Sequence, residues 1–268
     1  ILLCGWVVRR LSLPLSEFAE AAERFGMDVQ APPLALTGPP EMKRAVTAFN
    51  AMQARVRRLI NDRTQMLAAI SHDLRAPITR LQLRAEYLQG TPQYDKAVAD
   101  LKEMEQMIAS ILAFARDYVS TEAMERFDIN ALLESLCDDL QDSGMDVVFE
   151  GSEHRMPYEG RVSSLKRAFT NLIENAVKYG HCADVSLSQQ NSNLQIKISD
   201  DGPGIPEAHM KKVFDPFYRV DAARSPQTSG TGLGLSVARD VIHAHGGEIS
   251  LINCDPKGLM VIVTLPIK

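Results

Sequence analysis

The sequence predicts a multidomain chain, with an all-α first part and an α+β second part. Three observations predict this. From Leu11 to about Tyr118, apolar residues recur at alternating spacings of three and four, the seam of a packed helix, with two breaks. After about Ser120, short apolar runs alternate with helical stretches, the pattern of a mixed sheet layered with helices. Two glycine-marked loops, DDGPGIP and GTGLGL, fall in that second part.

The length of 268 residues suits two small domains or one large one. Apolar residues at 45% and charged residues at 24% place the chain among ordinary globular proteins. A net charge of -5, with short basic clusters balanced by acids, excludes a nucleic-acid footprint. Cys4, Cys137, Cys182 and Cys254 are far apart and form neither a metal-spacing motif nor a disulfide framework, so a reducing cytosol is the simplest setting.

The chain opens on ILLCGWVVRR, with Ile1 rather than Met, and is expected to be a fragment of a longer protein. Eight apolar residues are too few to span a bilayer, which needs about 20. They are either the inner end of a transmembrane helix (residues 1–8) or the buried end of a soluble one. Arg9 and Arg10 fit the positive-inside rule, which favours the first reading and places the rest in the cytoplasm, below an inner membrane.

The first helix carries Leu11, Leu15, Phe18, Ala22 and Phe25 and stops at Gly26. MDVQAPPLALTGPP is a proline-rich connector. A second helix begins near Pro40, with Met42, Val46, Phe49, Val56 and Ile60 on its seam. This is either an ordinary helical hairpin or a two-helix relay module. The seam runs on through Leu67, Ile70, Leu74, Ile78, Leu81, Ala85 and Leu88 until GTPQYD breaks it. A third helix spans about Asp95 to Tyr118, with Leu101, Met104, Ile108, Ile111 and Ala115 as its stripe. One hairpin with one stripe per helix cannot close a core, whereas two hairpins form a four-helix bundle, so a homodimer is expected.

In the second part, RFDINALLESLCDDL reads as a short extended segment and a helix capped by Asp128. MDVVFEG reads as a strand and RVSSLKRAFTNLIENAVKYG as a helix. ADVSLSQQ and LQIKISD pair around NSN. A helix from about Gly232 to His245 follows, and GEISLINC and LMVIVTLPI close the chain as a hairpin.

Four stretches carry chemistry. SHDLRAPIT places His72 two residues from each of the seam residues Ile70 and Leu74; at about 100° per residue it points away from the seam. Asp73 beside it can hold one imidazole nitrogen as N–H and leave the other nucleophilic, and Pro77 can bend the helix. Alone, the pair is either a nucleophilic site or plain surface. In NLIENAVKYG, Asn171, Asn175 and Lys178 share one helical face, which suits a magnesium-bound polyphosphate or merely solvent. In DDGPGIP, Asp200 offers an acceptor for the exocyclic amine of adenine, and Gly202 and Gly204 allow close backbone approach to a flat ligand; a simple turn is the alternative. GTGLGL sets Gly230, Gly232 and Gly234 at a helix start, where backbone N–H groups bind phosphates or small residues pack closely. Between the two glycine loops, the tail after FDPFYR reads as a mobile lid, with Phe214 and Phe217 packing its base and Lys211, Lys212 and Arg219 facing phosphates or solvent.

In chain order SHDLRAPIT, NLIENAVKYG, DDGPGIP, FDPFYR and GTGLGL resemble the H box, N box, first glycine box, F box and second glycine box of the sensor histidine kinases of two-component systems. The helices before them resemble a HAMP relay module, with Pro14 and Glu41 in matching places. The run from AFNAMQARV to QLRAE resembles the EnvZ-type osmosensor kinases. The resemblance implies a HAMP linker over residues 9–62, a dimerisation and histidine phosphotransfer domain over 63–120, and a Bergerat-type α/β-sandwich ATP-binding domain over 121–268. It implies that His72 accepts the phosphoryl group, with Asp73 orienting it. Asn175 and Asn171 would hold Mg2+, Lys178 and Tyr179 would line the ATP site, and Asp200 would read adenine in a pocket shaped by Gly202 and Gly204. Arg219, Gly230, Thr231, Gly232, Leu233, Gly234 and Leu235 would frame the phosphates. The implied partners are a second copy and the receiver domain of a response regulator.

One departure stands out. Many relatives carry Thr or Asn four residues after the histidine, where it helps position water to dephosphorylate the regulator. Here the residue is Ala76, which has no hydrogen-bonding side chain, and weakened phosphatase activity is expected. Two other readings are a Bergerat-fold ATPase or chaperone, for which Asn171 is a poor water-activating base, and an adaptor with a degenerate nucleotide pocket.

Overall fold

The computed structural model describes residues 13–27, 29–117, 122–220 and 231–267. The expectations for residues 1–12 lie outside them. Among the described residues no helix is long and apolar enough to cross a membrane. The chain divides into two compact units, one of Ile1–Leu74 with Ala115–Thr121, the other of Arg75–Phe114 with Glu122–Lys268.

In the first unit, helix α1 (Leu13–Met27) is followed by an extended connector and then by α2 (Pro40–Ala85), which belongs to that unit up to Leu74. Phe18 and Phe25 of α1 both meet Phe49 edge-on, with ring centroids 5.2 and 5.9 Å apart. The buried alanine between them is Ala21, not the expected Ala22. Ala21 lies three residues after Phe18 and four before Phe25, so it falls in their line of contact with Phe49. The connector is fastened to α2 by polar side chains. Asn50 accepts from the Leu34 N–H at 3.0 Å and donates to the Leu34 carbonyl at 2.9 Å, while Arg57 donates to the Val29 carbonyl at 2.8 Å and to that of Ala31. Gln53 continues the seam after Val46 and Phe49. It is 1% exposed, and neither atom of its amide has a hydrogen-bond partner.

α2 runs through Pro77 without interruption. It ends in a 3-10 turn, Glu86–Leu88, and Gly90 at φ +85° leads to α3 (Pro92–Asp117), which starts three residues earlier than Asp95 because Pro92 suits a first helical turn. In the second unit Ile78, Ala85 and Leu101 are buried, with Ala97 and Ile108 packed on them. Along the two helices and the turn between them Met66, Ile70, Leu74, Leu81, Leu83, Leu88, Val98 and Met104 stay substantially exposed in the single chain.

The rest of the second unit is the expected α+β layer. A five-stranded sheet has the order β2 (Asp146–Glu150), β4 (Cys182–Gln190), β5 (Asn193–Ser199), β7 (Leu259–Pro266), β6 (Glu248–Asn253). β2 and β4 are parallel and the other pairs antiparallel. Alternate residues form the inner face. Val185 stands opposite Ile198, and Ile198 opposite Val261; Leu187 stands opposite Ile196, and Ile196 opposite Val263. Helices α4 (Ile129–Asp142), α5 (Val162–Gly180) and α6 (Gly234–Ala244) cover that face with Leu133, Leu165, Phe169, Leu172, Ile173 and Ile242. Asp128 caps α4 as expected, accepting from the Asn130 N–H at 3.1 Å. The sequence pattern did not show β3 (Pro157–Gly160), which pairs antiparallel with β1 (Glu125–Asp128) as a separate two-stranded ribbon.

Candidate functional site

The first group of residues sits on α2. His72 and Asp73 project into solvent, with side chains 85% and 83% exposed, and His72 Nδ1 lies 3.3 Å from Asp73 Oδ1. Neighbouring Ser71 is buried, its hydroxyl donating to the Leu67 carbonyl at 2.8 Å. The carboxylate favours the tautomer that donates from Nδ1, which leaves Nε2 with its lone pair in solvent. Ala76, one helical turn further on, is exposed too.

The second group lies along α5 and at the start of α6. α5 buries Leu165, Phe169, Leu172 and Ala176, so Asn171, Asn175 and Lys178 lie at the half-buried edge. Gly234, the first residue of α6, faces them: a Cβ there would lie 3.3 Å from Asn175 Nδ2 and 3.6 Å from Asn171 Cβ. The amide pair of one helix thus stands beside the N-terminus of another, where free N–H groups and the helix dipole favour anions. Amide oxygens are hard ligands suited to Mg2+, so the donor set fits that ion.

Asp200 follows directly after β5 at the same edge. Its Oδ1 accepts from the Gly202 N–H at 2.8 Å and the Leu259 N–H at 3.1 Å. Burial pushes its carboxyl above the ordinary range, and the two N–H donors only partly offset this. Tyr179 and Gly180 abut this loop. A Cβ on Gly180 would lie 2.5 Å from Asp200 Cβ, and one on Gly202 would lie 2.7 Å from the Tyr179 carbonyl oxygen. The close approach that Gly202 permits is therefore to protein backbone. Lys178 Nζ stands 5.3 Å from the Tyr179 ring centre. Asp201, by contrast, faces out, and the Lys257 ammonium at 3.2 Å holds its carboxyl below the usual range.

The expected lid and Gly230 lie outside the described residues. At the lid's base Phe214 is half-buried, with the Arg239 guanidinium 5.7 Å from its ring centre. Phe217 does not pack as expected: it is 58% exposed. Its φ of +66° turns its backbone toward Gly232, which has φ +70°, and the Phe217 N–H donates to the Gly232 carbonyl at 3.0 Å. Thr231 and Arg219 are half-buried nearby in sequence. Leu233 is buried and Leu235 packs on the core, so each has only its backbone to offer a ligand.

Sequence reasoning missed two supports. Glu122 caps α5, accepting from the Ser163 N–H at 2.6 Å and the Ser164 N–H at 3.1 Å. Gly258 lets the chain pass Asp200, since a Cβ there would lie 2.2 Å from the Asp200 carbonyl oxygen. No motif marks Glu122; Gly258 was visible only as part of a hairpin turn.

Three family models match in succession: the HAMP domain over residues 6–58, the His Kinase A (phospho-acceptor) domain over 62–117, and the histidine kinase-, DNA gyrase B- and HSP90-like ATPase over 160–268. The sensor histidine kinase GtrS of Pseudomonas aeruginosa is 38% identical over 99% of this chain and 55% of its own length.

The chain belongs to the sensor histidine kinases.

Full-length ShkA, solved in complex with AMPPNP, shares the fold at a TM-score of 0.57, with 22% identity over 75% of this chain and 45% of that one. The kinase domain of the E. coli osmosensor EnvZ is 30% identical over 56% of this chain and 92% of that one, with a TM-score of 0.45. The chain spans 55% of GtrS, about half the length of the curated relatives it matches. Within this histidine kinase, residues 160–268 carry the ATPase match, and His72 falls inside the phospho-acceptor match.

Proposed function

We propose that this chain is the signalling part of a membrane sensor histidine kinase that phosphorylates His72 from ATP and passes the phosphoryl group to an aspartate of a response regulator. The observation that carries the reading is the pairing of Asn171 and Asn175 with Gly234, which sets an amide pair beside a helix N-terminus at the same edge as Asp200. That edge suits the phosphates at one end and the base at the other.

His72 Nε2 attacks the γ-phosphorus, the bond from that phosphorus to the β-γ bridging oxygen breaks, and ADP leaves. Asp73 holds the Nδ1 proton and stabilises the positive charge that develops on the ring. Asn175 and Asn171 would hold Mg2+, which neutralises phosphate charge. The N–H groups of Gly232 to Leu235 and the Lys178 and Arg219 side chains supply further positive potential, and Asp200 accepts from the exocyclic amine of adenine. Positioning and charge neutralisation supply most of the rate. The aspartate of the receiver domain then takes the phosphoryl group from His72, which is exposed enough for both partners to reach.

The bare apolar stripe of α2 and α3 supports a homodimer, with a second copy covering Ile70, Leu74, Leu81 and Leu88. The relay module over 9–62, the phosphotransfer domain over 63–120 and the ATP-binding domain over 121–268 follow a membrane helix that ends near residue 8, with the remainder in the cytoplasm. Ala76 leaves phosphatase activity weak.

Equilibrium binding tests the nucleotide half of this reading. ATP with Mg2+ binds the chain, and Asp200→Ala and Asn175→Ala each weaken it more than tenfold. Equal binding by a folded Asp200→Ala chain overturns the assignment of the base site.

A further inference from the structure

The loop from Asp200 to Pro206 is held at both ends by a single cross-strand pair. Asn253 of β6 and Leu259 of β7 stand opposite each other where the hairpin turns. Leu259 holds the start of the loop: its carbonyl accepts from the Asp200 N–H at 2.9 Å, and its N–H donates to Asp200 Oδ1 at 3.1 Å. Asn253 holds the end. Its Oδ1 accepts from the Ile205 N–H at 2.8 Å, and its Nδ2 donates to the Ile205 carbonyl at 2.8 Å, which closes a ring of two hydrogen bonds. Gly204 fits against this clamp: its φ is +71°, and a Cβ there would lie 2.5 Å from Asn253 Oδ1. The Cys254 N–H donates to the Gly258 carbonyl at 2.9 Å and keeps the turn shut.

We propose that Asn253 is a positioning residue for base selection, which acts through Ile205 and Gly204 and does not itself touch the nucleotide. The inference rests on the reading of this edge as the ATP site. Asp200 Oδ1 is occupied by two backbone donors, so Oδ2 is the oxygen left to accept from a base. A single acceptor discriminates an amine from a carbonyl only while the facing wall holds the base in register with it. The Gly204–Ile205 wall is fixed by Asn253, and Asp200 by the residue paired with Asn253, so one hairpin sets the distance between the two.

The test is a pair of dissociation constants, for ATP and for GTP, on the full chain and on Asn253→Ala. ATP affinity falls about tenfold, the scale of two ordinary hydrogen bonds, and GTP affinity is unchanged, so the preference for ATP shrinks by the same factor. Asn253→Asp keeps the acceptor for the Ile205 N–H, loses the donor, and falls between the two. Where Asn253→Ala is too unstable to assay, Asn253→Asp decides by the same two constants. Equal weakening of ATP and GTP, or an unchanged ATP constant, overturns the proposal. A wild-type chain without preference for ATP sinks the reading of the site itself, and this inference with it.

Discussion

Glu122 and Ser164 lie 42 positions apart in the chain, yet the Glu122 carboxylate accepts from both the N–H of Ser164, at 3.1 Å, and its hydroxyl, at 2.8 Å. Ser163 adds a third donor at 2.6 Å. α5 begins after Arg161, whose own side chain makes no capping bond, so its first free N–H groups take their acceptor from Glu122. The helix that carries Asn171 and Asn175 is thus anchored by a residue that precedes β1.

That anchor has a pH signature. Burial pushes the Glu122 carboxyl up, but the donors of Ser163 and Ser164 more than offset this and hold it below its ordinary 4.5. Its contribution to stability is fully present above 4.5 and is lost as pH falls through the depressed folded value. Glu122→Gln therefore costs stability at neutral pH, about 1 kcal/mol on the scale of a lost helix cap, and the gap from wild type closes in acid. Thermal unfolding of both chains between neutral and acid pH measures it. A gap that stays constant across that range contradicts the capping role.

Gly258 has φ +114°, and a side chain there would collide with the Asp200 carbonyl. Gly258→Ala should cost more than about 1 kcal/mol of stability and weaken ATP binding together, because the displaced atom belongs to Asp200, the residue proposed to read the base. Chemical denaturation and a binding isotherm on the same preparation give both numbers. Loss of stability with ATP affinity intact would separate Gly258 from the site.

The buried, unpaired amide of Gln53 destabilises the first unit. Gln53→Met keeps the length, removes two unsatisfied polar atoms, and should raise unfolding stability by about 1–3 kcal/mol. Denaturant unfolding tests it, and a lower stability in Gln53→Met would mean that the amide is paired in the assembled protein.

Ala76 follows His72 by one turn on the same helical face. With Thr in its place a hydroxyl becomes available to hold water near the histidine. Ala76→Thr should speed loss of phosphate from the purified phosphorylated regulator and leave phosphorylation of His72 in place. An unchanged rate would remove Ala76 from the explanation.

Local pattern made much of this fold legible. The helix of α2, the Asp128 cap and the alternation of β4, β5 and β7 are short-range signals, and each stood where the spacing put it. The approach of Gly234 to Asn171 and Asn175 brings together two stretches that local motifs had singled out. What escaped were contacts between distant polar residues. Asn50 on Leu34, Asn253 on Ile205 and Glu122 on Ser164 are all side chains fastening a remote backbone, and nothing in their neighbours announces it. β3 was missed because Pro157 to Gly160 is too short to show a period of two. Phe217 was misread because an aromatic residue suggests packing, whereas here its positive φ serves its backbone.

The most direct test is labelling of the purified chain with γ-labelled ATP and magnesium, beside His72→Gln. Acid-labile, base-stable label on the wild type and none on His72→Gln is the predicted result. Label that persists in His72→Gln, or no label on a folded chain that binds ATP, would contradict the assignment of His72 as phosphoacceptor.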